Sequence, residues 1–248
     1  MIDVAIDAAK QAGELALRYF KTQPKVSYKA DSSPVTRADI EAEKLIRRII
    51  TKKFPDHGII GEELPPVNPK APYQWAIDPI DGTRDFIRGI TNWAVFITLL
   101  QKGKPIKSVA YFPAIGTLIT GEKNKGTFLD NKKAHVSKTK DLKKAYVSVG
   151  LKRFSQMDNS KTLTEIFQNG SAVRNYAGLG LIYLLDGKID ALVETYGMIH
   201  AYATPALLVE EAGGKYSDFN DQYSLNSQNA IFSNGLIHSQ VLKLLNSK

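Results

Sequence analysis

The sequence predicts a mixed α+β / α/β fold made of two packed halves. Three observations carry that prediction. Two N-terminal stretches show apolar residues at helical spacing, a run of short strand-like segments fills residues 58–129, and strand and helix patterns alternate after about residue 140. The 248 residues suffice for one large or two small domains. A chain of that length buries roughly 70–75% of its unfolded surface and needs no staples.

Residues 2–20 place Ile2, Ala5, Ala9, Ala12, Ala16 and Phe20 near one helical face. Asp31-Ser-Ser-Pro34 reads as a turn. A second helix is expected over 37–54, where Ile40, Leu45, Ile46, Ile49 and Ile50 are apolar, and Pro55-Asp-His-Gly58 stops it. Strands are expected over 58–61, 74–78, 93–100, 106–112, 117–122 and 126–129, with Gly-, Asn- and Lys-rich turns between them. Further strands are expected over 146–149, 172–175, 189–195 and 229–232. The helices expected among them cover 161–168, 178–186, 204–212 and 236–245. The boundary falls near residue 140, giving halves 1–140 and 141–248 that pack as one unit.

Composition removes several classes. Apolar residues make up 43% and charged residues 23%, which fits a globular chain. With no cysteine there is no disulfide framework, thiol nucleophile or cysteine zinc site, and a cytoplasmic location is expected. The longest apolar run, residues 93–100, is far short of the ~20 residues of a membrane span. Asp3, Asp7 and Glu14 interrupt residues 1–20, so no signal peptide is expected there.

The net charge is +8, but the basic residues fall in scattered short pairs such as Lys52-Lys53 and Lys132-Lys133. Solubility and attraction of an anionic small molecule are therefore expected before nucleic-acid binding. Gly121-Glu-Lys-Asn-Lys-Gly126 lacks the lysine of a phosphate loop and reads as a turn. His57, His135, His200 and His238 have no metal-ligand spacing and are expected at the surface or at helix ends.

The chemistry concentrates in three acidic segments: Pro34-Val-Thr36-Arg-Ala-Asp39, Gly61-Glu62-Glu63, and Trp75-Ala-Ile-Asp78-Pro79-Ile80-Asp81-Gly82-Thr83. In the third, a proline ends the strand ladder and Asp81-Gly82 supplies a turn. Asp78 and Asp81 can then converge. Two converging carboxylates with no Arg or Lys between them repel, and a divalent cation relieves that. An all-oxygen donor set, with the Ile80 carbonyl available, suits Mg²⁺ or Mn²⁺ rather than zinc. The N–H groups of Gly82 and Thr83 stand where a new element begins, a place that suits phosphate. Carboxylates for metal beside donors for phosphate fit metal-assisted phosphoester hydrolysis. Thr36-x-x-Asp39 is also a helix capping box.

These pieces, with Lys29-x-Asp31, Asp190-Ala-x-x-Glu194 and Glu211-Ala-Gly-Gly214, resemble the inositol monophosphatase superfamily of magnesium-dependent sugar phosphatases. The resemblance implies a layered αβαβα sandwich and a homodimer. It implies two or three Mg²⁺, with Mn²⁺ possible: Glu62, Asp78 and the Ile80 carbonyl on the first ion, Asp78 and Asp81 on the second, a third on Glu62. It assigns phosphate to the Gly82 and Thr83 amides. The Thr83 hydroxyl, supported by Asp39 and Glu62, would orient a metal-activated water, and Glu194 would contact the substrate.

One position departs from the pattern. The family carries Trp-Asp about ten residues before Glu-Ala-Gly-Gly, and that aspartate completes the second metal site. Here the pair is His200-Ala201. Ala201 marks either a lineage with a weakened second site or an introduced Asp→Ala change. His200 is a conceivable substitute, although adjacent helical residues point about 100° apart. The implied function is hydrolysis of a small polyol or amino-alcohol phosphate, inositol monophosphate or histidinol phosphate, impaired at Ala201. The alternative is a catalytically weak metal- or phosphate-binding protein, or an RNA or transcription-complex partner, of the same fold.

Overall fold

The computed structural model describes residues 1–22, 24–150, 168, 170, 172–195 and 197–246. Helices α1 (Ile2–Leu17) and α2 (Arg37–Lys53) form the first layer, joined through a hairpin of β1 (Val26–Tyr28) and β2 (Pro34–Thr36). Ala5, Ala8, Ala9, Ala12 and Ala16 are buried along α1, and these small side chains let it lie close to Ala42, Ile46 and Ile50 of α2.

Below them is a seven-stranded sheet in sequence order: β3 (Gly58–Gly61), β4 (Tyr73–Asp81), β5 (Ala94–Gln101), β6 (Lys104–Phe112), β7 (Thr117–Glu122), β8 (Gly126–Leu129) and β9 (Lys132–Lys133). β3 runs parallel to β4 and the other pairs are antiparallel. Trp75, Ile77, Val95, Ile97 and Leu99 pack on the first layer, while Ala76, Ala94 and Phe96 face the opposite side. The near-continuous apolar runs of β4 and β5 follow from burial on both faces.

The third layer is α4 (Leu179–Leu185) with α5 (Ile199–Glu211), whose Leu181, Leu184, Ala203, Ala206 and Leu208 share a core with both sheets. The hydroxyls of Thr98 and Thr204 meet at 2.7 Å and fix α5 over β5. A five-stranded sheet follows. Its strands are β10 (Tyr146–Val149), β11 (Ala172–Arg174), β12 (Ala191–Thr195), β13 (Lys215–Ser217) and β14 (Asn229–Ser233), in the spatial order β11-β10-β12-β14-β13. Helix α6 (His238–Leu245) covers its outer face through Val241, Leu242 and Leu245. The layering is the expected αβαβα sandwich. Among the described residues no helix is long and apolar enough to cross a membrane.

Three local differences from expectation have physical causes. The helix expected over 204–212 starts at Ile199 and holds Pro205 inside. Proline is usual at a first turn, but here only the bond to the Ala201 carbonyl is lost and the apolar flanks hold the helix. β1 and β13 are three-residue strands, too short to show a period. The expected helix over 161–168 falls almost wholly outside the described residues.

The bulge in β4 positions the site. Asp78 pairs with Phe96 and Asp81 with Ala94, so β4 carries one extra residue against β5. In a regular strand, residues three apart face opposite sides. The bulge, at Pro79 where no N–H exists for the ladder, turns Asp78 and Asp81 into one cavity while the Ile80 side chain packs into a buried cluster with Phe86 and Trp93.

Candidate metal centre

The cavity has a volume of about 290 Å³. Glu62 just after β3, Asp78, Ile80 and Asp81 from β4, and Gly82 and Thr83 at the start of α3 (Thr83–Ile87) line one side. Glu194 of β12 and His200 and Ala201 of α5 line the other. Every residue assigned a role from the sequence, except Asp39, therefore lines one space.

Asp39 sits just behind it. Its Oδ2 accepts from the Thr36 N–H at 2.8 Å and the Thr36 hydroxyl at 2.6 Å, while Thr36 caps α2. Its Oδ1 accepts from the Thr83 hydroxyl at 3.2 Å, and the Ile80 carbonyl is a second acceptor for that proton at 3.1 Å. The capping box and the link to Thr83 are thus both present. Gly82 opens α3 at φ 93°, a left-handed conformation that glycine adopts without strain, and a Cβ there would meet the Asn92 carbonyl at 2.7 Å.

The electrostatics of the cavity favour a cation. Asp78 is 3% exposed and its Oδ1 has no hydrogen-bond partner. A buried carboxylate oxygen left unpaired is costly. Burial, then the charges of Glu62 and Asp81, raise the Asp78 pKa well above the ordinary carboxylate range. Burial, with Glu62 and Asp85, pushes Asp81 up to about 7. Burial, then Glu62, pushes Glu63 to about 7, and burial with Asp81 pushes Glu194 to about 8. Burial also lowers His200, favouring its neutral ring. The orphaned oxygen and the carboxylate donors fit a divalent ion.

Lys29 partly offsets this charge. Its Nζ reaches Glu62 Oε1 and Glu63 Oε1, both at 2.7 Å. Burial alone would lower its pKa, but the two carboxylates outweigh burial and raise it, keeping the ammonium charged.

Among the described residues, Glu62, Asp78 and His200 form the one group whose ligand atoms all lie within 4.8 Å of one another. His200 was expected at the surface or a helix end, without metal spacing. It does open α5, but it stands beside Glu62 and Asp78. Of the other histidines, His57 stacks on Phe54 and Tyr73, and buried His238 bridges Ser217 and Ser233.

Two supporting residues were not foreseen. Buried Glu43 of α2 accepts from the N–H groups of Glu63 at 2.7 Å and Leu64 at 3.2 Å, and pairs with Arg47 at 2.7 Å. It holds the loop that presents Glu62. Asn92 accepts from the Leu179 N–H at 2.6 Å and donates to Asp85 at 2.8 Å, tying α3 to α4. Glu43 gave no signal because it reads as one more charge on a helix, and Asn92 reads as a turn residue.

Gly61 follows from Glu43: a Cβ there would land on the Glu43 carboxylate. Gly61→Ala should lower stability by about 1–3 kcal/mol through overpacking and weaken Mg²⁺ binding as Glu62 shifts. Thermal melts with and without Mg²⁺ measure both.

The whole chain, residues 1–248, matches the inositol monophosphatase family. A histidinol-phosphatase of Chlorobaculum parvum is 32% identical over 227 residues, spanning 90% of this chain and 88% of that protein. The Nus factor SuhB of Pseudomonas aeruginosa is 33% identical over 236 residues, spanning 90% and 87%. Among solved structures, the extragenic suppressor protein suhB from Bartonella henselae superposes with a TM-score of 0.93 at 28% identity, covering 99% of this chain and 98% of that one. The layered fold, the bulged strand with its acidic cavity and a match running the full length agree, and the chain belongs to the inositol monophosphatase family.

Proposed function

We propose that the chain is a divalent-metal-dependent phosphomonoesterase for a small polyol or amino-alcohol phosphate, such as inositol monophosphate or histidinol phosphate. Ala201 makes its turnover slow. The observation that carries this reading is the unpaired, buried Asp78 oxygen beside Glu62, with Asp81 turned to the same side by the bulge. Glu62, Asp78 and the Ile80 carbonyl would hold one Mg²⁺, and Asp78 with Asp81 a weaker second. A dication bound there neutralises the carboxylates, lowers the pKa of water and polarises phosphoryl oxygens.

The chain's own groups do the rest. The Gly82 and Thr83 amides receive the phosphate. Thr83 gives its proton to Asp39 or the Ile80 carbonyl, so its oxygen is left to accept from the attacking water. Glu194, at about 8, holds its proton at neutral pH and can donate to a substrate hydroxyl. Beside a cationic amine it would ionise instead, so one residue can serve either substrate class.

A panel of phosphate monoesters with Mg²⁺, run on this chain and on Ala201→Asp, tests the reading. Metal-dependent release of phosphate from one class supports it. The relatives called Nus factor SuhB, with the net charge of +8, favour a second reading as an RNA or transcription-complex partner. Tight RNA binding, with no turnover even in Ala201→Asp, would select that one.

Thr83→Ala should lower kcat by about 10²-fold or more with little change in KM, because it removes an interaction used in the transition state. Steady-state kinetics separate the two, and an unchanged kcat with a raised KM would leave Thr83 a binding role only.

A further inference from the structure

We propose that Glu62, Asp78 and His200 form a mixed nitrogen–oxygen site that prefers a first-row transition dication of the cobalt or zinc class over magnesium. The proposal rests on the reading of this cavity as a metal centre and adds His200 to its oxygen ligands.

Four observations support it. One ligand atom from each of the three residues lies within 4.8 Å of the other two. Asp78 is almost fully buried and its Oδ1 has no partner, so the cluster already contains a donor aimed at nothing. α5 starts at Ile199, five residues earlier than the expected start at 204, so His200 is held by the first turn of a packed helix. Glu62 and His200, with Gly197, line both the main cavity and a neighbouring one lined by Lys29, Asp31 and Ser33, so the cluster borders two cavities.

The donor types decide the preference. Magnesium takes oxygen ligands, keeps several waters and is held by one or two carboxylates. An imidazole adds little for it. Zinc and cobalt gain strongly from imidazole nitrogen, and three protein ligands with an open position is the pattern of catalytic zinc sites. Adjacent positions on a helix diverge by about 100°, so His200 serves the side of Glu62 and Asp78 and does not replace the carboxylate missing at 201. The ion would displace the Lys29 ammonium from Glu62, and Lys29 would keep Glu63.

Titrating the metal-free protein with Co²⁺ and, separately, with Mg²⁺ tests this. The readouts are calorimetric affinity and the visible absorption of bound cobalt, neither of which needs substrate. In His200→Ala, Co²⁺ affinity should fall at least ~10-fold, the lower bound even for outer-shell losses at metal sites. The cobalt bands should shift, and Mg²⁺ affinity should change less than about two-fold. If the alanine protein does not fold, His200→Gln carries the test, because it keeps bulk while removing the ring nitrogen. Unchanged Co²⁺ affinity and bands in the His200 variant, with both metals lost in Asp78→Asn, overturn the proposal and leave the metal-centre reading standing. Unchanged binding in Asp78→Asn as well overturns both.

Discussion

Ala201→Asp should raise kcat on a phosphate monoester by at least about 10²-fold and lower the Mg²⁺ concentration needed for half-maximal rate. Ala201 lies in the first turn of α5 and lines the same cavity as Asp78 and Asp81. A carboxylate there would give the second ion a third charged ligand. In the proposed reaction that ion would stabilise charge on the leaving oxygen, a Lewis-acid effect of several kcal/mol, and each ~1.4 kcal/mol is a factor of ten in rate. The same change adds a negative charge to a crowded site, so the metal-free protein should melt lower and gain more from Mg²⁺ than the parent. If neither kcat nor Mg²⁺ dependence moves in a folded protein, the position of the missing ligand has been misread. Asp218 offers no substitute, since its carboxylate is engaged by the Asn220 and Gln222 amides and by Ser227.

Asp78→Asn should abolish the rise in melting temperature on adding Mg²⁺ and cut turnover by about 10³-fold or more, because Asp78 serves both proposed ions. The metal-free melts carry a sign that can be worked out. Asp78 and Asp81 have folded pKa values above the unfolded value near 4, so the folded state holds protons that the unfolded state has released. Their contribution to stability therefore falls as pH rises from about 4 through about 7. Metal-free wild type should lose stability over that window, and Asp78→Asn should lose less, finishing more stable than wild type at pH 8. Binding of metal drives those protons off, so the stabilisation of wild type by Mg²⁺ should grow from pH 6 to pH 8. Equal Mg²⁺ affinity in Asp78→Asn would remove Asp78 from the site.

The layers were legible because α1, β4 and β5 have strong periods or long apolar runs. The candidate site was legible because the acidic residues that line it lie in short segments whose residue types admit few other uses, above all Asp78-Pro-Ile-Asp81-Gly-Thr83. What sequence could not show was direction in space. Spacing brings Asp78 and Asp81 to one turn, but only the bulge explains how residues three apart share a side. Pro205 hid the first turn of α5, and with it the placing of His200. Glu43 escaped because burial of one acid on a charged helix is a tertiary fact, and Gly61 is intelligible only once Glu43 is in place.

The carboxylate of Asp39 serves two employers, the cap of α2 and the hydroxyl of Thr83. A lineage that gave up catalysis would still be penalised for losing it, because the Thr36 N–H at the head of α2 would lose its acceptor, a hydrogen bond worth about 0.5–1.5 kcal/mol. Asp78 stands the other way round. Without an ion its buried, unpaired oxygen is a standing cost, and drift toward asparagine or a small apolar residue would be a relief. Survival of Asp39 in descendants of this chain would therefore report on folding, and survival of Asp78 on the continued presence of a metal.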